Sequence, residues 1–250
     1  MEQNEPLTEK GKESIYTALR NVNALLRLTT NLITFERAGF NDSRLVIAEF
    51  ELNNYLKELV DAFRDYADTQ HIGLTYHSNF DYQNAWIDQE KMESILKNLI
   101  SNALKYTPRH GTVQIEASDE GRFWCIKIKD NGIGIPANEQ KRLFKSHFRS
   151  SNAINSKITG SGIGLLLVGK LVKLHKGRIE MESKEGEGTC VTLHFPKEAK
   201  EYKKAQRTVS KPQAAHITDS HTTRPSNIPR IPDDNDSTQQ HVGTNEKKKK

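Results

Sequence analysis

Two carboxamides on one helical face, two glycine clusters and one carboxylate at the end of an apolar strand are the residues here whose types and spacing suit chemistry. Gly160-Ser161-Gly162-Ile163-Gly164-Leu165 sets three glycines at alternate positions just before an apolar stretch, Leu165 to His175. With no Cβ in the way, the backbone there can approach a ligand closely. The free N–H groups and positive dipole end of the following helix favour an anion, and phosphate is the obvious one. Asn98 and Asn102 stand four residues apart in Asn98-Leu99-Ile100-Ser101-Asn102-Ala103-Leu104-Lys105-Tyr106, with Lys105 and Tyr106 following. Spacing of four places both amides on one face. An ordinary solvated face would look the same. A carboxamide oxygen is also a hard ligand for Mg²⁺, and a lysine nearby suits phosphate.

Asp130-Asn131-Gly132-Ile133-Gly134-Ile135-Pro136 reads first as turn chemistry after a strand. Yet Asp130 has the same strand parity as Trp124, Ile126 and Ile128, so it ends an apolar face. A carboxylate there is costly without a donor. An exocyclic amine such as adenine N6 would supply one, with Gly132 and Gly134 letting the base lie close.

The elements that must position these groups follow from periodicity. A helical stripe starts at Glu13 and carries Ile15, Leu19, Val22, Leu26 and Ile33, with Gly39 as a stop. It packs either on its own domain or as an arm of a helical bundle. A strand is expected over Leu45–Phe50, and an amphipathic helix over Leu52–Thr69. Short strands follow at Leu74-Thr75-Tyr76 and Trp86-Ile87. Asp88 is the natural N-cap of a helix that runs to about Tyr106 and stops before Thr107-Pro108. Met92, Ile95, Leu96, Leu99 and Ala103 form the face of that helix suited to a sheet. A hairpin over Val113–Asp130, a short helix at Gln140–Phe144 and a polar loop over Ser150–Thr159 come next. After the helix at 165–175, two strands close the fold at Pro196.

Composition narrows the partners. Residues 197–250 hold 12 basic and 7 acidic residues, while residues 1–196 hold 25 of each, so the net charge of +5 belongs to the tail. No helix carries a concentrated basic stripe, which argues against nucleic acid. The tail has too few apolar residues to offset its ordering entropy and is expected to be a disordered linker. Cys125 and Cys190 have no metal-ligand spacing in the sequence and read as reduced core residues. No apolar run is long enough to span a bilayer, and no export signal occurs, so a cytoplasmic location is expected.

Asn98–Tyr106 resembles the N box, Asp130–Pro136 the G1 box, Leu143–Arg149 the F box and Gly160–Leu165 the G2 box of the ATP-binding catalytic domain of sensor histidine kinases. That domain belongs to the wider gyrase, Hsp90, histidine kinase and MutL ATPase class. Gly186-Glu187-Gly188-Thr189 is similar to its closing turn. The resemblance covers about residues 45–196. The helix at 13–38 with Phe35-Glu36-Arg37-Ala38-Gly39 is similar to the second helix of the dimerisation and phosphoacceptor domain, in the style of hybrid two-component sensors of Bacteroidetes. The implied fold is α+β, a two-layer α/β sandwich of the Bergerat type, with a mixed sheet covered by helices on one face. The implied domains are a disordered 1–12, a partial dimerisation helix at 13–40, the catalytic domain at 45–196 and the tail at 197–250.

The resemblance also assigns roles. Asn102 would hold Mg²⁺ with Asn98 nearby, and Lys105 and Tyr106 would face the nucleotide. Asp130 would read adenine N6, with Gly132, Gly134 and Ile135 shaping the base pocket. Arg149 and the loop over 150–161 would close on the γ-phosphate of ATP. Gly160, Ser161, Gly162, Ile163, Gly164 and Leu165 would admit the phosphates, and Thr189 would sit near the adenine. The implied partners are a phosphoacceptor histidine helix, a response-regulator receiver domain and a second copy of the chain in a homodimer.

Other readings fare worse. Gly164–Leu171 nearly spells a P-loop, but Leu171 stands where a Ser or Thr must bind Mg²⁺. A dinucleotide-binding fingerprint needs a strand directly ahead of its glycines, and none precedes Gly160. Gyrase-like hydrolases place a glutamate four residues before the metal-binding asparagine, where it activates water. Asn98 occupies that position and takes no proton at neutral pH, so transfer to another nucleophile is favoured over hydrolysis. None of the nine histidines is followed by a carboxylate, and none precedes the helix at 13–38. The acceptor is therefore expected outside this sequence. A nucleotide-binding regulatory or dimerisation module, or a weak ATPase, is the alternative.

Overall fold

The computed structural model describes residues 8, 10–19, 21, 22, 25, 26, 29, 45–80, 84–146, 148–155, 162–198, 200 and 202. Residues 10–19 are helical, as are 21, 22, 25, 26 and 29 among the described residues (α1), so helix is present ahead of the expected Glu13. Its apolar members Ile15, Leu19, Val22, Leu25 and Leu26 are all exposed. Ile33, the remaining member of the expected stripe, lies outside the described residues. The stop expected at Gly39 lies outside the described residues.

The body begins with β1 (Ala48–Glu51), which pairs antiparallel with β3 (Asn84–Ile87) as a separate two-stranded ribbon. The stretch expected as one helix divides into α2 (Leu52–Asp61) and α3 (Arg64–Thr69). The Phe63 N–H bonds to the carbonyl three residues back, at Val60, and tightens the last turn of α2. Phe63 is thereby turned into the core, where it is fully buried. Glu51 caps α2 through both carboxylate oxygens, to the N–H groups of Asn53 and Asn54.

The main sheet has five strands in the order β2-β4-β5-β7-β6, made of β2 (Gly73–Ser78), β4 (Thr112–Glu120), β5 (Phe123–Asp130), β6 (Arg178–Lys184) and β7 (Gly188–Pro196). β2 pairs parallel with β4, and the other neighbours are antiparallel. The sheet is mixed, and the fold is α+β as expected.

Helix α4 (Gln89–Tyr106) starts at the Asp88 cap, whose carboxylate accepts from the Lys91 N–H. Its buried face is Met92, Ile95, Leu96, Leu99, Ile100, Ala103 and Leu104. That face meets Val113, Ile115, Trp124, Ile126 and Ile128 of the sheet in one core, the main source of stability by apolar burial. The expected helix after Glu139 is only a 3₁₀ turn, Gln140–Arg142. Within the polar stretch that follows, Ser151–Asn155 forms a short helix, α5. Helix α6 (Gly164–Leu174) then packs beside α4 with Leu167, Val168, Leu171 and Val172 buried.

The packed body extends past Pro196. Lys197 exchanges backbone hydrogen bonds with Arg122 and Trp86, and Tyr202 is buried against Leu45 and Ile47. The Tyr202 hydroxyl donates to the His175 carbonyl at 3.3 Å. Composition marks the polar tail but cannot show that one tyrosine in it packs on Leu45 and Ile47, just ahead of β1. No helix among the described residues is long and apolar enough to cross a membrane.

Candidate functional site

The expected site residues come from the C-terminal half of α4, the end of β5, the loop after it, and the start of α6. They meet at one end of the two layers because Asp130 ends the central strand β5 on the side where α4 ends at Tyr106. The Ile133 N–H donates to the Tyr106 carbonyl at 3.1 Å and fastens the loop after β5 to the end of α4.

Asp130 is half-buried, and its Oδ1 accepts from the N–H groups of Gly132 at 2.9 Å and Thr189 at 3.2 Å. Burial pushes its carboxyl up to about 6, against the downward pull of those two donors. Among the described residues no donor reaches Oδ2. Thr189 lies directly opposite Asp130 on β7, and its hydroxyl contacts that of Ser183 at 2.8 Å.

Gly134 adopts a φ of +62°, and a Cβ there would stand 1.9 Å from the Lys184 carbonyl oxygen. Only glycine fits both the left-handed backbone and the approach. The sequence reading missed what holds this loop. Asn152 of α5 donates through Nδ2 to the carbonyls of Gly134 at 2.8 Å and Ile133 at 3.3 Å. Gln140 donates to the carbonyls of Ile135 at 3.0 Å and Ser183 at 2.7 Å. Asn131 accepts from the Thr112 N–H at 2.7 Å. A polar residue in a polar run carries no signal of such a role.

Asn98 donates its Nδ2 to the Ser94 carbonyl at 2.7 Å, which leaves its Oδ1 aimed toward Gly164. A Cβ at Gly164 would lie 2.6 Å from that oxygen. Ile163 caps α6 without any side-chain hydrogen bond, so the helix opens with N–H groups that no cap accepts. Asn102 sits one turn beyond Asn98 and is partly exposed. The Lys105 ammonium lies 4.9 Å from the centre of the Tyr106 ring. Burial raises the Tyr106 hydroxyl, and Arg149, hydrogen-bonded to it, pulls it back down. Arg149 also donates to the Ala153 carbonyl at 3.4 Å.

The structure thus brings Asp130, Gly132 and Thr189 together, joins Tyr106 to Lys105 and Arg149, and sets Asn98 against Gly164. Ile135 contributes its carbonyl to Gln140, and Leu165 packs against the core. Gly162 has a φ of +72° and lies against the Phe148 backbone and the Arg149 side chain. Gly160 and Ser161 lie outside the described residues. The arrangement has a half-buried carboxylate with one oxygen lacking a donor among the described residues, a helix start without a side-chain cap, and a carboxamide oxygen against that helix start.

Residues 87–199 match the model of the family described as histidine kinase-, DNA gyrase B-, and HSP90-like ATPase. The chain is 31% identical over 197 residues to histidine kinase P4 of Formosa agariphila, covering 76% of this chain and 14% of that protein. It is 31% identical over 174 residues to the sensor histidine kinase WalK of Bacillus subtilis, covering 69% of this chain and 28% of that protein. The chain therefore spans less than a third of the length of either curated relative. Among solved structures, full-length ShkA in complex with AMPPNP superposes with a TM-score of 0.65 at 23% identity, over 79% of this chain and 41% of that one. The histidine kinase AdeS of Acinetobacter baumannii gives 0.61 at 23% identity, over 77% and 86%. At that identity the structures speak for the fold.

Proposed function

Residues 87–199 belong to the histidine kinase-, DNA gyrase B-, and HSP90-like ATPase family, and from that premise we propose that the chain is the ATP-binding catalytic core of a sensor histidine kinase. The observation that carries the reading is Asp130: a half-buried carboxylate whose Oδ1 takes both protein donors and whose Oδ2 is left for a ligand amine. The adenine N6 amine of ATP is the donor we assign to it. Thr189 flanks the base, and the loop from Gly132 to Ile135 forms its wall.

The phosphates then run toward α6. Its uncapped N–H groups and the dipole behind them favour the anion. Lys105, whose ammonium donates to the Tyr106 hydroxyl at 3.4 Å, adds a positive charge, and Arg149, held between Tyr106 and the Ala153 carbonyl, would meet the terminal phosphate. Asn102 would hold Mg²⁺ through its carboxamide oxygen, with Asn98 beside it. The fit rests on the space beside Gly164, which any Cβ would close against Asn98 Oδ1. A bound Mg²⁺ supplies charge neutralisation and fixes the phosphate geometry. Lys105 and Arg149 stabilise the charge that spreads over the transferred phosphoryl oxygens.

Asn98 has no basic lone pair to activate water, and its NH₂ is engaged by Ser94. We therefore assign transfer rather than hydrolysis: the bond from the γ-phosphorus to the ADP oxygen breaks as a bond to an imidazole nitrogen forms. The acceptor is a histidine on a separate helix, since no histidine here is followed by a carboxylate. A receiver domain as the next recipient, a cytosolic site of action and pairing of two copies through the exposed stripe of α1 belong to the same proposal. Mixing the chain with a separately made acceptor helix and γ-labelled ATP tests it. Acid-labile, base-stable label on the helix is expected, and unlabelled helix at every concentration would overturn the transfer reading.

A further inference from the structure

The sheet has a second face, turned away from the helices, and one corner of it is built unlike the rest. β5 and β7 put Trp124 and Phe195 side by side in the core, so Cys125 and its partner His194 point to the opposite face. Neighbours of the same parity there, Lys127 and Lys129, are exposed. Cys125 and His194 are instead 3% and 8% exposed. Glu120 reaches the same corner from the end of β4, and Glu180 from β6.

Cys125 Sγ, a ring nitrogen of His194 and a carboxylate oxygen of Glu120 all lie within 4.8 Å of one another. Tetrahedral Zn²⁺ with sulfur, nitrogen and oxygen ligands separates its donor atoms by about 3.3–3.8 Å. A side-chain contraction of about an ångström therefore closes the set. We propose that Glu120, Cys125 and His194 form a binding site for a zinc-like divalent transition-metal cation, separate from the nucleotide site.

The protonation pattern supports this. His194 Nδ1–H donates to Glu120 at 3.0 Å, while Nε2 is buried with no hydrogen-bond partner. An orphaned buried ring nitrogen is costly. Glu180 stands 3.9 Å from that nitrogen. Moving the ring proton from Nδ1 to Nε2 turns it toward Glu180 and frees the Nδ1 lone pair for the metal, the carboxylate–histidine–metal relay seen in zinc sites. Metal binding then forms bonds to Sγ, Nδ1 and a Glu120 oxygen. The thiol proton leaves to solvent, and no electron is transferred.

The site would clamp β4, β5 and β7 at the end of the sheet remote from Asp130, about 17 Å along β5. It takes Cys125 out of the role of an inert core thiol. Chelator-stripped, reduced full-length chain is titrated with Co²⁺, followed by Zn²⁺ displacement. A thiolate-to-cobalt charge-transfer band saturating at one equivalent and lost on adding Zn²⁺ is expected. Cys190→Ser should keep the band and Cys125→Ser should lose it. His194→Gln should weaken Co²⁺ binding at least tenfold. Glu120→Gln, at a half-exposed side chain whose change leaves the core alone, should do the same. The proposal is overturned by absence of the band in the unaltered chain, by its survival in Cys125→Ser, by its loss in Cys190→Ser, or by unchanged affinity in Glu120→Gln.

Discussion

The carboxylate of Asp130 accepts a hydrogen bond from the backbone N–H of Thr189 at 3.2 Å, across a separation of 59 residues. This contact ties the end of β5 to the start of β7, and with the Gly132 N–H it engages Oδ1 alone. Burial outweighs this contact and the Gly132 N–H and raises the carboxyl from 3.8 to about 6.

Stability should therefore fall with rising pH at this residue. The folded chain holds the Asp130 proton more tightly than the unfolded chain, so the contribution is fully present below about pH 4. It is lost as pH rises to about 6 and amounts to about 3 kcal/mol. Urea unfolding of the Asp130→Asn variant between pH 4 and 7 should show a flatter pH dependence than the unaltered chain. Parallel curves would assign the effect to other groups.

Nucleotide binding should show the reverse trend. A ligand amine needs the ionised carboxylate, so ATP affinity should decline about tenfold per pH unit below about pH 6. Calorimetry between pH 5 and 7 measures this. Asp130→Ala should weaken ATP about 10–100-fold at neutral pH, through loss of a charge-assisted hydrogen bond of about 1.5–3 kcal/mol. Unchanged affinity would refute the adenine assignment.

Asn102→Ala should abolish the Mg²⁺ dependence of nucleotide binding while leaving the magnesium-free affinity in place. Titrations with and without EDTA separate the two. If the dependence survives, the metal sits elsewhere.

Asn152→Ala should loosen the loop after β5, since two carbonyls lose their donor. The expected stability loss is about 1 kcal/mol, with a several-fold faster release of a fluorescent ATP analogue in stopped flow. Release at the original rate would confine Asn152 to a structural role.

Tyr202→Ala should lower the melting temperature, because a fully buried aromatic ring and its hydrogen bond to His175 are removed. A cost of about 3–5 kcal/mol is expected from comparable cavities. An unaltered melting temperature would return the domain boundary to Pro196.

Much of this molecule is legible in its residues because local periodicity is a local property. The i, i+4 spacing of Asn98 and Asn102, the apolar parity of β5 that strands Asp130, and the Asp88 cap each follow from a few neighbouring residues. The α+β class was implied by the resemblance that the ordered motifs carry. The break between α2 and α3 was not legible, since it depends on Phe63 finding the core. Nor was Tyr202, a single aromatic in a polar tail. Asn152 on Gly134, Gly164 against Asn98, and the corner of Glu120, Cys125 and His194 join residues far apart in the chain. Distances of that kind are set when strands choose their order and helices their packing partners, and no spacing in the sequence encodes them. The residue types and faces that could do chemistry were determined by the sequence alone; which of them meet was decided by the tertiary fold.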